Sequence, residues 1–117
     1  MYKKIKRIYL RGISDKLQVW AYHVKKGKRC NVCGSKKNLQ AHHLYSKFYY
    51  PWLALLLSNG VPLCNKCHSG FHSWNGGFRV KATRYLYNKW KYRKLILFLR
   101  ITIIITTLTL MLIKILN

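Results

Sequence analysis

The stretch LCNKCHSGFH, residues 63–72, combines two cysteines separated by two residues with two histidines. Such a run can attach a haem through Cys-x-x-Cys-His, form half of a four-ligand zinc site, or present a histidine pair to a catalytic metal. An earlier pair, Cys30 and Cys33, has the same spacing. Haem attachment would need an oxidising compartment and would leave this earlier pair without a role. The sequence therefore predicts a structural zinc ion held by four thiolates, those of Cys30, Cys33, Cys64 and Cys67.

The composition is extremely basic. Lys and Arg total 23 against one acidic residue, Asp15, and the net charge of the 117-residue chain is +22. Such a chain repels itself, so we expect a polyanionic partner: nucleic acid first, an anionic membrane surface second. The length indicates one small domain, of the kind that often depends on a metal for stability.

The lack of acidic residues excludes whole classes of enzyme. One carboxylate cannot form the paired acids of a glycosidase or a carboxylate-only magnesium site. Any metal chemistry must therefore use His, Cys, Asn and backbone groups. The first residues, MYKKIKRIYLRG, have no continuous apolar core of the kind found in secretory signals. We therefore expect an intracellular, non-secreted protein, whose cysteines bind zinc rather than form disulfides.

The periodicity of apolar residues predicts a small α+β fold. Residues 1–28 form a basic, partly helical segment, with a short helix starting near Ser14 and Asp15 on the apolar spacing of Ile13, Leu17, Trp20, Ala21 and Val24. Two short strands are expected at 39–44 and 61–63, with a turn at Asn59 and Gly60. A helix runs from Cys67 to the glycine pair at 76–77, and residues 78–94 read as one basic, aromatic helix.

Four of the five histidines lie among the cysteine pairs. His68 and His72 are spaced i, i+4, so on a helix both rings leave one face and can chelate one cation. His42 and His43 are adjacent on a predicted strand, so their side chains point to opposite sides. The pattern predicts a second metal site, although histidines that only support the fold are the alternative. His23 stands apart and is assigned to the surface or to packing.

Taken together, these elements resemble the HNH endonucleases. The resemblance rests on the two Cys-x-x-Cys pairs, Ala41-His42-His43, Asn59-Gly60, and His68 with His72, and covers about residues 20–77. It implies a ββα-metal nuclease domain at 29–77, in the zinc-stabilised form common in phage and intron-encoded homing enzymes. It also implies metal-dependent hydrolysis of nucleic-acid phosphodiester bonds.

The resemblance assigns roles to individual residues. His43 would be the general base that activates water, and Asn59 the residue that holds the loop and helps to orient that base. His42 stands where many members have a metal-binding Asp, and His68 and His72 occupy the helix positions used by colicin-type nucleases. The catalytic cation would be Mg²⁺, Mn²⁺, Ni²⁺ or Zn²⁺. An imidazole with a pKa near ~6.5 suits a base at neutral pH, and we expect Asn59 to fix its tautomer by accepting the other N–H.

Three basic clusters flank the candidate nuclease domain, and we predict that they contact phosphates. They comprise Lys3, Lys4, Lys6 and Arg7, then Lys25, Lys26, Lys28 and Arg29 on its N-terminal side, and Lys89, Lys91, Arg93 and Lys94 after it. The partner is expected to be DNA, with RNA left open. The alternative function is a non-catalytic zinc-ribbon protein that binds nucleic acid, or a decayed nuclease.

The final segment, residues 95–117, is apolar or Thr in character through residue 116 except for Arg100 and Lys114. As a helix rising ~1.5 Å per residue, 95–116 would cross a bilayer core of ~30 Å. The positive charges just before it would keep the folded part on the cytoplasmic side. The β-branched residues at 101–109 leave a buried strand as the alternative.

Overall fold

The computed structural model describes residues 2–116. It is a small α+β structure with four α-helices and a two-stranded sheet. In chain order the elements are α1 (Tyr2–Lys25), β1 (Leu39–His43), 3-10 helices at Pro51–Leu53 and Leu57–Asn59, β2 (Gly60–Cys64), α2 (Asn65–Trp74), α3 (Arg84–Lys91) and α4 (Arg93–Leu116).

The first helix is longer than the periodicity predicted. α1 begins at Tyr2 rather than near Ser14 and Asp15, so that part of the prediction was wrong. Lys, Arg and Leu propagate a helix well, and no Pro interrupts the segment. The predicted apolar face is nevertheless the one that packs: Trp20 and Val24 are buried.

The two strands pair antiparallel, with His42 opposite Val61 and His43 opposite Gly60. The predicted turn at Asn59 and Gly60 takes the form of a 3-10 turn: the Gly60 N–H donates to the Leu57 carbonyl, and Gly60 itself has the extended backbone that begins β2. A Cβ on Gly60 would lie 2.8 Å from the Trp20 ring and would also overlap Val24. The glycine is therefore required because α1 crosses directly over β2.

The second predicted helix, 78–94, is divided in the structure. Residues 78–83 are irregular, and α3 begins after Thr83, whose hydroxyl accepts a hydrogen bond from the Leu86 N–H at 3.3 Å. This is an N-cap signal that the basic periodicity obscured. Tyr92 separates α3 from α4, which extends as an exposed helix and not as a buried strand.

A small core lies between the sheet, α2 and α3. Leu63 and Phe71 are fully buried, and Tyr87 and Trp90 of α3 pack against Phe71 with ring centroids 5.9 and 5.5 Å away. The core thus includes residues beyond 29–77, because α3 covers the face of α2 that the sheet leaves open. The division of the chain into four segments remains a prediction.

Candidate metal centre and active site

The four cysteines form one cluster. Their sulfur atoms all lie within 4.8 Å of one another, and the Sγ atoms of Cys33 and Cys64 are 3.6 Å apart. Zinc–sulfur bonds of ~2.3 Å in a tetrahedron place neighbouring sulfurs about 3.8 Å apart. The cluster is therefore compatible with a structural zinc ion.

Three different elements supply these cysteines. Cys30 and Cys33 lie on a turn closed by the Gly34 N–H donating to the Cys30 carbonyl at 2.9 Å. Gly34 has a φ of 75°, a conformation that side-chain-bearing residues rarely adopt. Cys64 ends β2, and Cys67 lies in the first turn of α2. The cluster thus ties the turn after α1 to the sheet and the helix.

Electrostatics in the cluster favour a cation. Burial raises the pKa of the Cys30 thiol, but N–H groups of Cys33, Cys64 and Val32 outweigh it and bring that pKa to about 6. Burial and contacts with the other thiols raise the pKa of Cys67. One thiolate therefore forms readily while a neighbour resists ionisation, and a bound divalent cation would remove that conflict.

A second cluster consists of His42, His68 and His72. One ring nitrogen from each lies within 4.8 Å of the others, and the Nε2 atoms of His68 and His72 are 3.3 Å apart. Metal–nitrogen bonds of ~2.0–2.1 Å in a tetrahedron place neighbouring nitrogens about 3.3 Å apart. The i, i+4 spacing on α2 and the opposing strand position of His42 create this arrangement.

The three rings are held neutral. Burial lowers the pKa of His42 to about 3 and that of His68 to about 4, and repulsion between the histidines adds to both shifts. Burial also lowers the pKa of His72. Among the described residues, none hydrogen-bonds to the buried Nε2 of His42 or the buried Nδ1 of His72. The neutral His42 imidazole with its unpaired Nε2 fits a metal ligand.

His43 lies on the opposite side of β1 from His42, as strand alternation predicts, but both rings line one cavity of about 290 Å³. His68 and His72 line the same cavity. Trp20 stacks on His43, with ring centroids 3.9 Å apart and the planes 12° from parallel. Burial lowers the pKa of His43, although the hydrogen bond to Ala54 opposes this effect. His43 is therefore neutral at neutral pH.

The tautomer of His43 is set by the backbone. Its Nε2 lies 2.9 Å from the Ala54 carbonyl oxygen, which can only accept, so Nε2 carries the proton and Nδ1 is free to accept one. The expectation that Asn59 contacts the ring was wrong. Asn59 instead binds the loop: its Oδ1 accepts from the Tyr45 N–H at 2.7 Å, and its Nδ2 donates to the carbonyls of Tyr45 and Leu53 at 3.0 Å.

These bonds occupy the Asn59 side chain, which is 3% exposed. Asn59 thus fixes the carbonyl of Leu53, next to the Ala54 carbonyl that orients His43. Asn59 and Gly60 are each required for a separate reason. Asn59 is needed for the hydrogen bonds of its amide, and Gly60 is needed because a side chain there would overlap Trp20 and Val24.

Several residues at this cavity were missed by sequence reasoning. Ser46, Lys47, Phe78 and Ala82 complete its lining. Phe78 stacks on His72 with centroids 4.2 Å apart, and the Lys47 charge helps to lower the pKa of His43. A lysine four residues after the second histidine of a pair carries no sequence signal in so basic a chain. Its position depends on the loop fold.

The predicted nucleic-acid residues do not line this cavity. The second cluster, Lys25, Lys26, Lys28 and Arg29, lies at the end of α1 and just before the cysteine turn, largely exposed. Lys91 donates to Asn31 Oδ1 at 2.7 Å. Lys89, Arg93 and Lys94 line a separate pocket together with Arg100.

Comparison with known proteins gave no match: none was found among protein-family models, curated proteins or solved structures.

Proposed function

We propose that this protein is a metal-dependent endonuclease of the HNH type, in which β1, β2 and α2 form the ββα-metal core. The observation that carries the proposal is the shared cavity of His42, His43, His68 and His72. Three of these histidines form a candidate metal cluster, and the fourth has a fixed tautomer with a free Nδ1. A protein that only binds nucleic acid needs neither feature.

His43 acts as the general base. Its Nδ1 faces away from the Ala54 hydrogen bond and accepts a proton from water, and its low pKa keeps it in the unprotonated form at neutral pH. As His43 becomes positively charged, its Nε2–H bond to Ala54 strengthens and stabilises the imidazolium. The Trp20 stack prevents the ring from turning away.

His42, His68 and His72 hold the cation. A divalent cation bound there supplies Lewis-acid stabilisation of negative charge on a phosphodiester and its leaving oxygen. With no carboxylate in the set, the site is composed of neutral nitrogen donors, which favours Zn²⁺ or Ni²⁺ over Mg²⁺.

Lys47 and the loop beyond it provide the substrate side of the cavity. The Lys47 ammonium is placed to neutralise a phosphate entering the cavity. Beyond it, the side chains of Phe48 and Trp52 are 81% and 71% exposed. Exposed aromatic rings next to a basic group are suited to stack on bases. We assign nucleic-acid contact to this loop as well as to the basic cluster at 25–29.

The test is cleavage of supercoiled plasmid by the full 117-residue chain, purified in detergent. Parallel reactions contain EDTA, Mg²⁺, Mn²⁺, Ni²⁺ or Zn²⁺. We expect nicking or linearisation that depends on added metal and falls ~10²–10⁴-fold in His43→Ala. His23→Ala removes an exposed histidine on α1 and is the matched control.

Metal binding separates the roles of the histidines. His43→Ala should bind as much of the activating metal as the wild type, whereas His42→Ala should lose it and keep the four-cysteine zinc. Plasmid binding without cutting under every metal condition would establish the alternative, a zinc-ribbon binding protein or a decayed nuclease.

A further inference from the structure

The surface of α4 is apolar on all sides. The helix has a mean hydropathy of 2.4 in its most apolar window, and none of that window is buried. Each of its Leu, Ile, Met and Phe side chains is exposed. A helix that lies along a membrane surface has one polar face, and α4 has none. Its surface is suited to be enclosed by hydrocarbon.

Two other kinds of helix share this composition, and the structure argues against both. The core helix of a soluble protein is buried, whereas α4 projects from the folded part. A signal sequence lies at the beginning of a chain, whereas α4 starts at Arg93 and follows the whole of the folded part. With 24 residues, α4 is about 36 Å long, enough for a bilayer core of ~30 Å.

The polar groups of α4 are satisfied within the helix. The hydroxyls of Thr102, Thr106, Thr107 and Thr109 each donate to a carbonyl three or four residues earlier, at 2.8–3.0 Å. Hydrocarbon offers no partners, so self-contained hydrogen bonding is what a membrane-spanning helix requires. Arg100 and Lys114 lie toward opposite ends, where long side chains can reach the headgroups.

A basic pocket lies where α4 leaves the folded part. Its volume is about 500 Å³, and four cations line it: Lys89, Arg93, Lys94 and Arg100. The remaining lining residues are Trp74, Ile96 and Leu97. The pocket therefore offers positive charge beside an aliphatic wall that continues into the apolar surface of α4. That combination matches a phosphate headgroup with its acyl chain, whereas a nucleic-acid backbone has nothing to place against Ile96 and Leu97.

The first residue of α4 contacts the core. Arg93 donates to the Trp90 carbonyl at 2.6 Å, and its guanidinium lies 5.0 Å from the Trp90 ring. Trp90 is buried against Phe71. A single residue, Tyr92, separates α3 from α4. The pocket is thus held at a fixed place relative to the histidine cavity.

From these observations we propose that α4 spans a lipid bilayer and that the basic pocket binds the phosphate headgroup of an anionic phospholipid. Four cations lie near the start of α4, whereas its last turn carries one, Lys114. Because the more positive flank of a membrane-spanning helix stays in the cytoplasm, the folded part lies on the cytoplasmic side. This inference does not depend on nuclease activity. With α4 in the bilayer, the protein is anchored to the membrane and its histidine cavity lies near the membrane surface.

Insertion is tested by reconstituting the full chain into phosphatidylcholine vesicles with or without phosphatidylglycerol, then floating them after washes in alkaline carbonate and high salt. The wild type should remain with both kinds of vesicle. The double variant Ile104→Asp/Leu108→Asp places two charges in the middle of α4 and should be released from the vesicles by carbonate. Ile104→Leu/Leu108→Ile is the matched control and should stay bound. Release of the wild type by carbonate would overturn the membrane-spanning assignment.

The lipid pocket is tested by tryptophan quenching in the same vesicles. The Trp74 signal is the tryptophan fluorescence of the wild type minus that of Trp74→Phe. Brominated phosphatidylglycerol should quench this signal at least about twofold more than brominated phosphatidylcholine. Lys89→Gln/Arg93→Gln/Lys94→Gln should abolish this preference and remain inserted. Lys36→Gln/Lys37→Gln removes exposed lysines outside the pocket and should retain it. Equal quenching by both lipids would overturn the pocket assignment. A triple variant that keeps the lipid preference and loses only oligonucleotide binding would overturn it in favour of a nucleic-acid site.

Discussion

The indole of Trp20 and the imidazole of His43 are stacked, with ring centroids 3.9 Å apart and planes inclined by 12°. The Trp20 Nε1–H also donates to the Leu56 carbonyl at 2.9 Å. Helix α1, which lies outside the cysteine and histidine pattern, therefore braces both the general base of the proposed nuclease and the loop that orients it.

Replacing Trp20 should impair catalysis through His43. We expect Trp20→Leu to lower kcat by roughly 10- to 100-fold with little change in KM, because the base loses its fixed orientation. Trp20→Phe keeps an aromatic face and should recover most of that loss. The measurement is plasmid cleavage as a function of pH at a temperature where circular dichroism shows both variants folded. Equal kcat in Trp20→Leu and the wild type would remove the bracing role.

The close approach of α1 to β2 predicts that Gly60→Ala is destabilising. The new Cβ would meet Trp20 at 2.8 Å and overlap Val24, and such overpacking costs about 1–3 kcal/mol. Gly12 provides the matched control, because nothing lies within 4 Å of a Cβ there and the position is helical. Gly12→Ala should stabilise the protein by about 0.5–1 kcal/mol. Chemical unfolding measures both, and a neutral Gly60→Ala would contradict the packing of α1 on the sheet.

Removal of one cysteine ligand should unfold the small core around the zinc cluster. We expect Cys67→Ser to lose the zinc bound by the wild type and to melt at a lower temperature, because three thiolates cannot close a tetrahedral site. Ser69→Ala, on an exposed position of the same helix, is the control. Zinc content by mass spectrometry and melting by circular dichroism are the readouts. A wild type whose melting is indifferent to strong chelators would refute a structural role for the metal.

The buried histidines predict a loss of stability in mild acid. The pKa values of His42 and His68 are about 3 and about 4 in the folded protein, below the ordinary value of 6.5. The unfolded chain therefore binds protons in this window that the folded chain does not, so the free energy of unfolding should decrease as pH falls from 6.5 toward 4. Above pH 6.5 these two groups should not change how the free energy of unfolding depends on pH.

Proton NMR of the histidine rings tests the cause. In protein without added metal at the histidine site, the His42 and His68 resonances should show no titration between pH 8 and 5. Replacing His42 by Asn should make the melting temperature less dependent on pH over the same range. A His42 midpoint near 6.5 would show that the ring is not buried as the structure places it.

Part of the candidate site could be predicted from spacing alone. Two residues between cysteines and three between His68 and His72 are local relationships, and a turn or a helix places such side chains together whatever surrounds them. The alternation of His42 and His43 across β1 is local in the same sense. Local spacing therefore accounts for each cysteine pair and for the His68–His72 pair, whereas the pairing of β1 with β2 brings these pairs and His42 into the two clusters.

The orientation of His43 was not predictable in this way. It depends on the Ala54 carbonyl, on the Asn59 amide that holds the neighbouring loop, and on an indole from α1. The sequence suggested that Asn59 would contact the ring directly. This expectation failed because the Asn59 amide hydrogen-bonds to the backbone of Tyr45 and Leu53 instead.

The residue content sets the chemistry available to this protein: cysteine thiols, imidazoles, a large positive charge and one long apolar segment, with a single carboxylate side chain. These follow from residue types and local periodicity. The fold, and not the local sequence, brings the histidines of β1 and α2 into one cavity and leaves one nitrogen of His43 free. Those relationships join residues far apart in the chain, and no local pattern encodes a distance that loop conformation and core packing must set.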